Sequence, residues 1–295
     1  MKQKHVLAAI FAVAATLCSA QQIPDTAFLF QNPHPHFTPG KGPAVCLDEA
    51  HYNFHTLDGR YATFGKVLRE DGYQMQSSRE AFSAASLSNC KVLVIANALD
   101  SVSNSNWVMP NRSAFSAAEI KAVNEWVKNG GSLFLIADHM PFAGSAQDLA
   151  QSFGVTFLNC FAMDNRRRSP ERFFRGNKTL IDCEISRGVD TVVSFTGSAF
   201  RLPKGAQPIL ALRDYTILLP ETAWQFNETT PYQDSRGLYQ LAYLRYGKGK
   251  VVVSGEAAMF SAQLAGPNRN RVGMNQPEAR QNPQLLLNIM NWLSQ

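Results

Sequence analysis

The chain has 295 residues, 45% of them hydrophobic, and a formal net charge of +5. That apolar content is enough for a substantial core in one large domain or two small ones, and it excludes a disordered chain. Once Lys2 and Lys4 are removed with an N-terminal leader, the net charge falls to +3, too mild for a nucleic-acid partner.

The leader is residues 1–20: a basic start, an apolar run from Val6 to Leu17, and small residues at Ser19-Ala20. This is the plan of a secretory signal, with cleavage expected after Ala20 and a periplasmic or extracellular destination. Cys18 invites a lipid anchor, but Leu17 stands where lipoprotein processing wants a small residue. No later run is long and apolar enough to span a bilayer, so no transmembrane segment is expected in the mature chain. Four cysteines then remain, Cys46, Cys90, Cys160 and Cys183. Of their pairings, Cys160 with Cys183 is the first expected, since both flank an arginine-rich stretch, and Cys46 reads as a buried thiol.

Residues 21–42 carry Pro24, Pro33, Pro35 and Pro39 and read as an extended, partly flexible lead-in, in which His34 and His36 are solvated. From 43 onward, strands and helices alternate. Strands are expected at 43–48, 73–76, 91–96 and 132–137. Helices are expected at 60–71, at 79–87, after the Ser116/Glu119 capping box, and around 146–153. Such alternation argues for right-handed crossovers and a parallel sheet. Residues 160–245 are richer in short strands and prolines and read as a β-rich insertion or an antiparallel extension. The strand at 250–254 and the helix at 283–293 return the chain to one α/β domain spanning 43–295. The run Arg166-Arg167-Arg168 with Arg172 and Arg175 is read as a solvated loop interrupted by Asp164 and Glu171.

Four apolar strands end in polar groups: Asp48, Glu49 and His51 after the first, Asn97, then Asp138 and His139, then Glu256. Ligands of open parallel sheets bind at the carboxyl ends of strands, so these side chains are candidates for a shared site. The chemistry open to them is acid/base catalysis by Asp48, His51, Asp138, His139 and Glu256, with His55 and Glu49 in reserve. A divalent metal held by His51, Asp138 and His139, with Glu256 as base, is one version; in the other, a histidine takes the proton and loop amides stabilise the anion. Asp138 could instead simply satisfy those amides. No GxSxG elbow, GxGxxG fingerprint or P-loop occurs, which disfavours serine hydrolases and nucleotide binding.

The blocks Asp48-Glu49-Ala50-His51, Gly130 through His139, Gly255-Glu256-Ala257-Ala258-Met259-Phe260 and the closing Leu287-Asn288 with Trp292-Leu293 resemble a poorly characterised group of bacterial exported proteins. That group is similar to the class I glutamine amidotransferase-like superfamily. The resemblance implies a flavodoxin-like fold: a mostly parallel sheet with helices on both faces. The turn after Ile136 carries Asp138 and His139 where amidotransferases place a cysteine, so a cysteine-dependent glutaminase is not expected. The leading expectation is a hydrolase-type enzyme. The alternative is a non-catalytic module that binds a small molecule, sugar, peptide or envelope partner on this fold.

Overall fold

The apolar runs of the sequence become strands buried on both faces. The computed structural model describes residues 22–295, so the leader and Cys18 lie outside the described residues. In chain order the elements are β1 (Gln22–Pro24), β2 (Ala44–Asp48), α1 (Ala62–Glu70), β3 (Gln74–Ser78), β4 (Val92–Ala96), α2 (Ala117–Lys128), β5 (Ser132–Ile136) and α3 (Phe142–Gln151). Then come β6 (Thr156–Asp164), β7 (Glu171–Phe174), β8 (Thr191–Ser194), β9 (Gly197–Arg201), β10 (Gln207–Ala211), β11 (Tyr215–Leu218), β12 (Tyr232–Asp234) and β13 (Tyr239–Tyr246). Last are β14 (Gly249–Ser254), β15 (Ala262–Ala265), β16 (Asn270–Gly273) and α4 (Asn282–Ser294).

Five strands run parallel in the order β3-β2-β4-β5-β14. Their period-two alternation feeds two cores. Val92, Val94, Phe134, Ile136 and Val252 pack with α1 and α4 on one face, while Leu93, Ile95, Leu133, Val251 and Val253 pack with α2 and α3 on the other. Helices therefore cover both faces, as expected.

The sheet as a whole is mixed. It has 11 strands, and beyond β14 it continues as β13, β9, β6, β11 and β12, all antiparallel, with β10 also paired to β13. The reason is the turn at Gly247-Lys248: a two-residue connection can only reverse the chain, so β13 must lie antiparallel to β14. The 160–245 region is thus largely an extension of the same sheet.

Local chemistry also corrects the helix expected at 79–87, which is a set of turns. Ser83 and Ser86 bond each other, and Ser86 Oγ donates to the carbonyls of Ala81 and Ser83, an alternative to helical pairing that serine readily takes. By contrast Ser116 and Glu119 form the expected capping box at α2. Ser116→Ala is expected to cost about 1 kcal/mol in chemical denaturation, the usual value of such a cap.

The lead-in is tied down rather than free along its length. β1 pairs with β15, and the buried Asp71 carboxylate accepts from Asn32 Nδ2 at 2.7 Å and His36 N at 2.9 Å, with His36 Nδ1 also within 3.0 Å. The cysteine expectation is overturned. Cys46 pairs with Cys90, Cα to Cα 5.8 Å, while Cys160 and Cys183 are free. Cys46 lies on β2 and Cys90 just before β4, and the pairing of those strands brings the two thiols together.

Candidate functional site

The carboxyl ends of the parallel strands gather the polar residues into two groups. The first surrounds His51. Its Nδ1 lies 2.9 Å from Asp48 Oδ1 and its Nε2 2.8 Å from Glu119 Oε1. Carboxylates only accept, so both ring nitrogens donate and the ring is an imidazolium. Burial opposes that charge, but the two carboxylates overcome it and raise the His51 pKa, and Glu119 is held down at about 2 despite its own burial by bonds from Ser116, His51 and Phe82. Asp48 additionally accepts from Ala50 N and Asn53 Nδ2. Glu49 accepts from Leu57 N at 2.8 Å and pairs with Arg79. These residues lock the loop after β2 to the start of α2.

That geometry overturns the metal set. His51 has no lone pair to offer, and no group of three His, Cys, Asp or Glu side chains among the described residues is placed to hold a metal. His51, Asp138 and His139 are therefore not a ligand triad.

The second group sits at the ends of β5 and β14. Asn97, in the left-handed region at φ 51° that asparagine tolerates, accepts the Asp138 N–H on its Oδ1 at 2.9 Å and latches β4 to β5. Asp138 Oδ1 accepts the His139 N–H at 2.8 Å. Burial pushes the Asp138 carboxyl up to about 7, against the hydrogen bonds from His139, Asn97 and Ala257. Glu256 is fully buried, and its two oxygens accept the N–H groups of Ala258 at 2.8 Å and Met259 at 2.7 Å. Burial, and then the charge of Asp138, raise it well above the usual carboxylate range. His139 donates from Nδ1 to the Met140 carbonyl at 2.7 Å, which leaves Nε2 as an acceptor, and burial holds its pKa down at about 4.

His55 joins this group. Its ring lies 4.4 Å from that of Tyr61, neither nitrogen has a partner, and burial keeps it neutral with a pKa of about 3. Tyr61 Oη in turn donates to the Ala257 carbonyl at 2.9 Å, beside Glu256.

Three participants were not legible beforehand. Gln240 is fully buried with both amide atoms unpartnered. A Cβ on Gly197 would stand 2.8 Å from Gln240 Nε2 and 3.0 Å from Glu256 Cβ and would strike the Gly255 carbonyl, so only glycine fits between them. Glu171, read as an exposed interruption of the arginine run, is buried in β7, bonded by Ser194 and Tyr215 and pushed up to about 7 by burial. The arginines around it are largely neutralised: Arg166 by Asp164, Arg172 by Glu278 and Arg175 by Asp182. A glutamate between arginines is ambiguous in sequence, and Gln240 gave no signal at all.

The loop amides expected to hold an anion are occupied, since Met140 N–H donates to Cys160 O and Phe142 N–H to His139 O. Around His139 stand Phe161, stacked at 4.6 Å, Trp224 at 4.8 Å and Trp107 at 6.1 Å. Open clefts of about 570 Å³ beside Cys46 and about 460 Å³ beside Arg213 lie elsewhere and include none of Asp138, His139 or Glu256.

No family model matches the chain, and no curated protein does. Among solved structures, the mmIFT52 N-terminal domain superposes with a TM-score of 0.60 at 17% identity, covering 85% of this chain and 97% of that one. A ThuA-like protein from Bacteroides uniformis gives 0.50 at 12% identity, covering 89% and 95%. ThuA-like proteins belong to the class I glutamine amidotransferase-like superfamily. At these identities the likeness is one of fold alone.

Proposed function

We propose that this chain is an exported hydrolase-type enzyme that works without a metal, with Asp138 exchanging the proton, Glu256 as a buried acid beside it, and His139 as a neutral imidazole at the rim. One observation carries the reading: two carboxyl groups close enough to perturb each other stand at the ends of adjacent strands, with Asp138 pushed up to about 7. Carboxyls whose surroundings separate their pKa values are how acid and base roles are divided near neutral pH. As carboxylate, Asp138 would take a proton from an attacking water and return it to the leaving group. His139 Nε2 would accept a hydrogen bond from a substrate hydroxyl or that water.

The same reading takes the fold as flavodoxin-like and residues 43–295 as one domain. Support for the fold comes from the strand order β3-β2-β4-β5-β14, which is the doubly wound order 2-1-3-4-5. Support for one domain comes from α4, which packs on β5 and β14 at the far end of the chain. The Cys46–Cys90 disulfide supports export, since disulfides persist in oxidising compartments. A second reading, a ligand-binding module without chemistry, is favoured by one fact: the Met140 and Phe142 amides are already bonded, so this turn supplies no oxyanion donors from them.

The test is hydrolysis of a panel of chromogenic esters, amides, glycosides and phosphate esters by the mature protein. Asp138→Asn is expected to lower kcat/KM by about 10²- to 10⁴-fold and to remove the titration near neutrality from its pH profile. Full activity in Asp138→Asn would end the assignment, and a wild-type protein inert on every substrate would favour the binding module.

A further inference from the structure

Two loops meet over His139. The first, from Ser101 to Asn111, and the second, from Thr222 to Asn227, contain no charged residue. The Val108 bridge to Thr222 ties them together, with Met109 N donating to Glu221 O at 2.8 Å and Ala223 N to Trp107 O at 2.9 Å. On this pair stand Val102, Val108, Met109, Trp224 and Phe226, five of the eight large hydrophobic side chains exposed among the described residues. Such a concentration marks a contact surface rather than scattered surface apolarity.

Its inner side is fixed. Trp224 and Phe226 pack edge-on against the buried Phe161 at 4.6 and 5.2 Å. Trp224 is nevertheless 51% exposed and sits at φ +64°, a left-handed conformation that costs a bulky residue about 1–2 kcal/mol. Neither the strain nor the exposure helps the fold, and glycine or asparagine would serve the turn better.

We infer that this rim docks on a lipid surface, inserting Trp224, Phe226, Val108 and Met109 into the interfacial layer with the Asp138–His139 end of the sheet facing the membrane. The composition selects this occupant. Tryptophan prefers the membrane interface, and loops without charged residues avoid the largest desolvation cost of approaching it. Valine and methionine cannot stack on a sugar ring but do partition into acyl chains. Charges flank these loops only at their roots, as Asp100, Arg112, Glu221 and Glu228. That mixture gives no net attraction for anionic headgroups, so docking is apolar and insensitive to salt. It is a surface attachment; among the described residues no helix is long and apolar enough to cross a membrane.

The experiment is co-sedimentation of the mature protein with phosphatidylcholine vesicles, together with tryptophan quenching by brominated acyl chains. The expected result is partition at low and high salt with quenched emission. Trp224→Ser/Phe226→Ser should weaken it about tenfold or more, and Val108→Asn/Met109→Asn should weaken it as well. Absence of partition overturns the inference. So does binding that salt abolishes and neither double variant affects, or saturable binding of soluble oligosaccharides without vesicle binding. The readout needs no substrate, so it stands or falls separately from the role of Asp138.

Discussion

Raising the pH from about 6.5 to about 9 lowers the melting temperature of this protein, because its buried carboxyls hold protons that the unfolded chain has lost. Asp138 and Glu171 are each pushed up to about 7 and Glu256 well above its usual range, all first by burial. Folded values above unfolded ones mean stability that is full below the unfolded pKa and lost as pH rises through the folded pKa. His51, also raised, loses its contribution in the same direction. His55 and His139 act oppositely. Burial depresses them to about 3 and about 4, so stability is lost as pH falls below the unfolded value of 6.5.

The histidines therefore offset the carboxyls on the acid side, and nothing among these groups offsets them above 6.5. One pKa unit corresponds to about 1.4 kcal/mol. Because Asp138 and Glu256 share one environment, their effects do not add, and the alkaline loss is on the order of a few kcal/mol, roughly 5–10 °C for a chain of this size. Calorimetry across that range is the check. Glu256→Gln should flatten the alkaline limb, and an unchanged limb in both Glu256→Gln and Asp138→Asn would show that these carboxyls are ordinary.

The second large effect belongs to the disulfide. Cys46 and Cys90 close a loop with a sequence separation of 44, and the chain-entropy relation for a loop of that length gives about 4 kcal/mol of stabilisation. Replacing both cysteines by alanine is expected to lower the unfolding free energy by about 2–4 kcal/mol, and reductant should shift the wild-type protein by a similar amount while leaving the double variant unmoved. Equal stability with and without reductant would mean that the bond is not formed in the protein. Because β2 and β4 carry Asp48 and Asn97 at their ends, loosening this pair should also disturb the His51 knot, visible as altered imidazole titration by NMR.

Much of the parallel half of the fold follows from local patterns. Unbroken apolar runs such as Val92 to Ile95 fit strands buried on two faces, the Ser116/Glu119 pair marks the start of α2, and the position of Asp138, His139 and Glu256 directly after such strands brings them to one edge of the sheet. Residue type and period act within a few positions, so a linear reading reaches them. What that reading could not reach depends on partners distant in the chain. His51 looks like a ligand until Glu119, 68 residues away, occupies its second nitrogen. Glu171 looks like a surface charge until β7 buries it beside Ser194 and Tyr215. Cys46 found Cys90 because β2 and β4 are neighbours, a consequence of strand order rather than spacing. The sequence by itself determined most strands and helices of the parallel half and which polar groups end those strands. Tertiary structure alone decided their protonation, their partners and the antiparallel half of the sheet, because burial, charge proximity and strand adjacency are properties of positions in space.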